Sequence, residues 1–134
     1  VLFSMYPWVR EEFEKRSGTK VVFENTVGDF TVSPQVATGI FRIYQELLTN
    51  IARHANASLV RASISKDENR LYFSVEDNGK GVDAKTIKNK KNLGLLGIKE
   101  RCLLFDGTYE FVSKPGEGFV TTISVPLQIV KVKS

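Results

Sequence analysis

The chain has 134 residues, 42% hydrophobic and 25% charged, with a formal net charge of +4, ordinary usage for one globular domain with a single core. No apolar run approaches the roughly 20 residues that a membrane-crossing helix needs, and the start, VLFSMYPWVREEFEKR, shows neither a basic leader nor a small-residue cleavage site. The positive surplus is partly local, with Lys85, Lys88, Lys90 and Lys91 in one short stretch, and it lacks the interleaved aromatics or basic helix face of a nucleic-acid surface.

Leu2, Met5, Val9 and Phe13 fall at helical steps before Gly18, which predicts a first helix over about residues 1–16. TKVVFEN then alternates around Val21 and Phe23 and predicts a short strand. Ser33 before Pro34 reads as an N-cap followed by the residue favoured at the first helical position. From there QVATGIFRIYQELLTNIARHANA runs without a breaker. Val36, Ile40, Ile43, Tyr44, Leu47, Ile51 and Ala55 share one arc at about 3.6 residues per turn, so this helix is expected to be the spine of the core.

SLVRASIS and RLYFSVED both alternate with period two and are joined by KDEN, a hairpin-like pair. After the lysine-rich stretch comes a helix over about 95–105, then TYEFVSK and FVTTISVPL turned by PGEG. Both strand pairs are hairpin-like rather than joined by crossover helices. The expected fold class is therefore α+β, a two-layer sandwich of about five mixed strands with about three helices on one face, in one domain over residues 1–134. Cys102, at helical spacing from Leu95, Ile98 and Phe105, has no second cysteine to pair with and is expected to be a buried, inert thiol in a reducing, cytoplasmic setting. With no initiator methionine in front, the expectation is a piece of a longer chain whose upstream segments could carry a membrane anchor or a sensor.

Three features ask for more than packing. Glu46, Asn50 and His54, spaced four apart, lie at the border of the spine helix's apolar arc. They read either as a solvated flank or as the wall of a cleft, where a carboxylate and an amide oxygen one turn apart suit magnesium. Zinc is disfavoured, because one histidine and one cysteine do not make its site. Asp77 shares the inward phase of Leu71, Phe73 and Val75, so it is either a turn-initiating residue in DNG or an acceptor at the floor of a pocket, as for a purine's exocyclic amine. Gly79 and Gly81 on one side of the lysine-rich run, with Gly94 and Gly97 on the other, suggest a lid over phosphates. GKG lacks the spacing of a P-loop.

In this order the motifs resemble the ATP-binding domain of sensor histidine kinases, within the larger group that includes gyrase, heat-shock protein 90 and mismatch-repair proteins. QELLTNIARHANA looks like the N box, DNGKGVD the first glycine box, NLGLLGIKER the second, and KPGEGFVTTISVPL the closing glycine strand. The RHA and GLLGIKER forms look most like the subfamily whose response regulators carry helix-turn-helix DNA-binding domains. The resemblance implies a Bergerat-type ATP-binding fold, with residues 78–96 as the ATP lid. It implies ATP and Mg2+ as ligands, with Asn50 coordinating the metal and Glu46 near it, through water or as a base. It implies Asp77 on the adenine amine, with Arg53, His54, Gly79, Gly81, Lys91, Gly94, Leu95 and Gly97 around the nucleotide. Phe119 stands where the family usually has threonine, and Thr121, in the same strand phase, can supply that polar contact.

By the same resemblance, the γ-phosphoryl group passes to a histidine on a separate dimerisation hairpin and then to a response-regulator receiver domain, with no direct nucleic-acid partner and membrane contact only through upstream segments. His54 is the sole histidine and lies inside the N box, so this piece is expected to bind Mg-ATP with little self-phosphorylation. An anti-sigma-factor-like serine kinase, which needs no hairpin, and a non-catalytic nucleotide-binding regulatory module, suggested by Phe119, are the alternatives.

Overall fold

The computed structural model describes residues 7–27, 32–88 and 94–127. Helix α1 (Pro7–Ser17) stops at Gly18, whose φ of +73° suits glycine and whose N–H bonds Glu14 O. Val9 and Phe13 are buried as the helical spacing predicts, while Leu2 and Met5 lie outside the described residues. Strand β1 (Lys20–Asn25) follows, and then α2 (Pro34–Asn50), started by Ser33, whose hydroxyl accepts the Val36 N–H.

The spine helix differs from its expected course at one end. Regular winding to residue 57 was expected, but after Asn50 the backbone widens into a π-helical turn (Ile51–Ala55), and Asn56 closes it in the left-handed region at φ 51°. The wider turn accompanies a tertiary contact: Ala55 O accepts the Lys80 N–H at 2.8 Å, and Gly79 leaves the room. Val36, Ile40, Ile43, Tyr44, Leu47 and Ile51 are all buried, whereas Ala55 is half-buried.

Strands β2 (Leu59–Lys66) and β3 (Arg70–Asp77) form the first hairpin, its turn held by Asp67 Oδ1, which accepts the N–H groups of Asn69 and Arg70. A short helix α3 (Ala84–Lys88) lies in the lysine-rich run, where the sequence suggested only a loop. Helix α4 (Leu95–Leu104) and the hairpin β4 (Thr108–Ser113) and β5 (Phe119–Pro126) complete the chain. Four α-helices thus stand among the described residues where about three were expected, because Asp83 caps α3 by accepting from both the N–H and hydroxyl of Thr86.

The sheet order is β1-β2-β3-β5-β4, with β1 parallel to β2 and every other pair antiparallel. The helices cover one face, and Tyr44 packs edge-on to Phe73 across the two layers at 5.6 Å. This agrees with the expected two-layer α+β sandwich. Cys102 is fully buried, and burial pushes its thiol up to about 12, as an inert core cysteine should behave. Among the described residues no helix is long and apolar enough to cross a membrane.

Candidate functional site

The inward phase of β3 carries Leu71, Phe73 and Val75 into the core and leaves Asp77 at the strand end, only 5% exposed. Both readings of this residue hold together. Its Oδ1 accepts the Gly79 N–H at 2.8 Å, as a turn residue would, and the carboxyl also lines a hollow of ≈ 480 Å³ including its open mouth. Burial lifts its pKa above the ordinary carboxylate value; the Gly79 N–H opposes that rise and the charge of Glu76 adds to it.

Leu47, Ile51, Val75 and Leu95 give the hollow an apolar lining. Phe119 stands directly opposite Asp77 in the β3–β5 ladder and also faces in, its ring 6.0 Å from that of Phe111. Thr121, one inward position along, is 1% exposed, and its hydroxyl has no hydrogen-bond partner among the described residues. A desolvated hydroxyl beside a desolvated carboxylate is an arrangement that a polar ligand edge would complete.

At the other end of the hollow, Asn50 and His54 reach in from the border of α2 and its π turn. Glu46 stands just beyond them. A Cβ on Gly94 would fall 3.0 Å from Glu46 Oε1 and 3.4 Å from Asn50 Oδ1, so the start of α4 lies against both side chains. Gly94 itself takes φ +67° and leaves the first N–H groups of α4 without a side-chain cap. Among the described residues no cluster of three or more His, Cys, Asp or Glu side chains could hold a metal alone. The oxygens of Glu46 and Asn50 nevertheless suit a hard cation that takes its other ligands from water and phosphate.

Around Asp77 the backbone runs too close for side chains. A Cβ on Gly79 would fall 2.2 Å from Ala55 O, and one on Gly118 would fall 2.1 Å from Asp77 O. Asn78, which the sequence suggested only as a turn residue, ties the loop to β2: its Oδ1 accepts the N–H groups of Ser58 and Leu59, and its Nδ2 donates to Ser58 Oγ. Ser113 and Val82 were also missed. Their bond joins loop to hairpin across 31 residues, and no local pattern announces such a partner.

Of the residues singled out from the sequence, Asn50, His54, Asp77, Gly81, Leu95 and Thr121 line the hollow together. Glu46 and Gly94 flank it, Gly79 packs behind it on Ala55, and Gly97 faces open space one turn into α4. Arg53 is not brought there; it lines a separate groove with Trp8, Phe13 and Arg16 on the side of α1. Lys91 lies outside the described residues, as does part of the 78–96 segment expected as a lid.

Residues 35–129, which contain this entire hollow, match the family described as histidine kinase-, DNA gyrase B-, and HSP90-like ATPase. The chain belongs to that family. It is similar to the signal transduction histidine-protein kinase/phosphatase DegS of Bacillus subtilis (strain 168), at 34% identity over 92% of this chain and 33% of the relative. It is also similar to the sensor histidine kinase YxjM of the same organism, at 36% identity over 87% of this chain and 28% of that one. The chain therefore spans about a third of the length of such relatives. The fold is shared with the Erythrobacter litoralis EL346 blue-light activated histidine kinase (TM-score 0.78, 22% identity, 92% of this chain and 41% of that chain). It is shared too with the Acinetobacter baumannii histidine kinase AdeS (TM-score 0.74, 16% identity, 92% and 61%). This ATPase domain is thus of the ATP-binding type found in histidine kinases.

Proposed function

We propose that the domain binds Mg-ATP with its adenine in the Asp77 hollow and its phosphates beside Glu46, Asn50 and the start of α4. In this reading it serves a two-component kinase by presenting the γ-phosphoryl group to a histidine on a separate helical hairpin, for onward transfer to a response-regulator receiver domain. The observation that carries the reading is the buried Asp77 carboxyl, which uses Oδ1 on Gly79 and faces an apolar slot that also holds the unpartnered Thr121 hydroxyl.

Asp77 accepts a hydrogen bond from the 6-amino group of the purine. A carbonyl at that position, as guanine carries, would meet the carboxylate lone pairs and be rejected. Leu47, Ile51 and Leu95 bury the base faces, and Gly79 and Gly81 keep the loop low enough for it to enter. At the phosphate end, the free N–H groups of α4 and the absence of side chains at Gly94 and Gly97 admit an anion. Asn50 and Glu46 would hold Mg2+, which supplies neutralisation of the phosphate oxygens when bound. Glu46 orients a water there or takes the proton that the attacking imidazole loses as the nitrogen–phosphorus bond forms and ADP departs. Arg53, on the α1 side, is left out of this arrangement. Lys85 and Lys88 are carried by the expected lid.

Calorimetric titration with Mg-ATP tests the reading. Saturable binding that is lost in Asp77→Asn, with the circular dichroism spectrum unchanged, is the expected result. An unaltered affinity in that variant would overturn it. An acid-labile phosphoprotein formed with the parent chain's hairpin marks phosphohistidine, whereas an acid-stable one would point to a serine kinase.

A further inference from the structure

Between Asp77 and α3 the chain leaves the sheet and forms one wall of the hollow with Gly81 and Val82. Its fastenings among the described residues are few. Lys80 is held at both ends, its N–H on Ala55 O and its carbonyl accepting from Gly116 N–H. Gly81, at φ +65°, then turns the backbone where a Cβ would strike Lys114 O at 2.1 Å. Val82 comes after that turn, so the fastening of Lys80 does not determine where its side chain stands. What holds it is one hydroxyl: the Val82 N–H donates to Ser113 Oγ at 2.9 Å.

The same hydroxyl donates to the carbonyl of Gly118. Gly118 sits hard against the Asp77 carbonyl and immediately precedes Phe119, which forms the facing wall. Ser113 is also the ladder partner of Phe119 across the β4–β5 hairpin. A single side chain therefore bridges the two walls, Val82 on one side and the Gly118–Phe119 strand start on the other.

We propose that Ser113 is a positioning residue that sets the width of the base slot by bonding both walls at once. This rests on the nucleotide reading above and deepens it. Ser113 does not touch the ligand; it holds Val82 and Phe119 at the separation that grips the faces of a purine. Without the hydroxyl, Val82 N–H and Gly118 O lose their common partner, and the Gly81 turn lets the wall swing out. The unliganded fold should tolerate this, because β4 keeps its ladder with β5 and Lys80 keeps both of its backbone bonds.

The test compares Ser113→Ala and Ser113→Thr with the unaltered chain in three measurements: affinity for Mg-ADP by calorimetry, amide exchange at Val82 without ligand, and the urea midpoint. Removing the hydroxyl is expected to weaken Mg-ADP binding by about five- to tenfold, one or two hydrogen bonds' worth of preorganisation, and to speed exchange at Val82 while the urea midpoint stays put. Ser113→Thr, which keeps the hydroxyl, is expected to restore both affinity and exchange protection. Unchanged Mg-ADP affinity in Ser113→Ala, or a loss matched by a lower urea midpoint and faster exchange throughout the core, would overturn the proposal. Failure of the unaltered chain to bind Mg-ADP would overturn the nucleotide reading as well. Binding by the unaltered chain with no effect of Ser113→Ala would overturn only the role of Ser113.

Discussion

Asp77 shows how one side chain can serve a turn and a pocket together. Its raised pKa means that the native chain takes up a proton more readily than the unfolded chain, so between the ordinary carboxylate value and the raised one the unfolded state holds fewer protons. Stability therefore falls as pH rises through that window, and at neutral pH the buried charge is a cost. Asp77→Asn should lack this contribution and melt no lower than the parent at pH 7, a comparison that differential scanning calorimetry makes directly. The same variant should lose roughly 1.5–3 kcal/mol of Mg-ATP binding, the usual worth of a hydrogen bond to a charged group. Thr121 behaves in parallel. Its hydroxyl is desolvated and unpartnered among the described residues, so Thr121→Val should raise the unliganded unfolding free energy by about 1 kcal/mol. Denaturant titration reads that gain.

At the scale of elements, α2 was legible because its signals are local: a serine cap, a proline at the first position and an unbroken apolar arc. Ser33→Ala should cost about 1 kcal/mol through the loss of the Val36 N–H acceptor, measured by thermal unfolding. The π turn that ends the helix was not legible, since what it serves lies 25 residues further on, at Lys80. Gly79→Ala puts a methyl group against the Ala55 carbonyl. It should destabilise by roughly 1–3 kcal/mol and unfasten the loop from the helix end, seen as faster amide exchange at Lys80. Helix α3 was missed for a related reason: a lysine-rich run reads as loop until Asp83 is recognised as its cap.

For the whole molecule, the sheet order separates what binds from what receives. The β3–β5 pairing puts Asp77 opposite Phe119, and the crossover through α2 brings Glu46 and Asn50 beside the start of α4. The chain's sole histidine, His54, is exposed at the rim of the hollow. Incubated alone with labelled Mg-ATP, the chain should stay unlabelled. With the parent's helical hairpin added, acid-labile label should appear on the hairpin, because phosphoryl transfer depends mainly on positioning and charge neutralisation.

What the sequence by itself determined was everything with a short period or a local signature. The alternation of β2, β3 and β5, the arc of α2, the buried Cys102 and the inward phase of Asp77 all follow from side-chain direction along a single element, and the order of the motifs carried the family. Only the tertiary structure decided that Arg53 turns toward α1, that Asn78 and Ser113 fasten the loop, and that Ala55 meets Lys80. Those contacts join segments distant in the chain, and a side chain's hydrogen-bonding capacity does not specify which distant backbone group will use it.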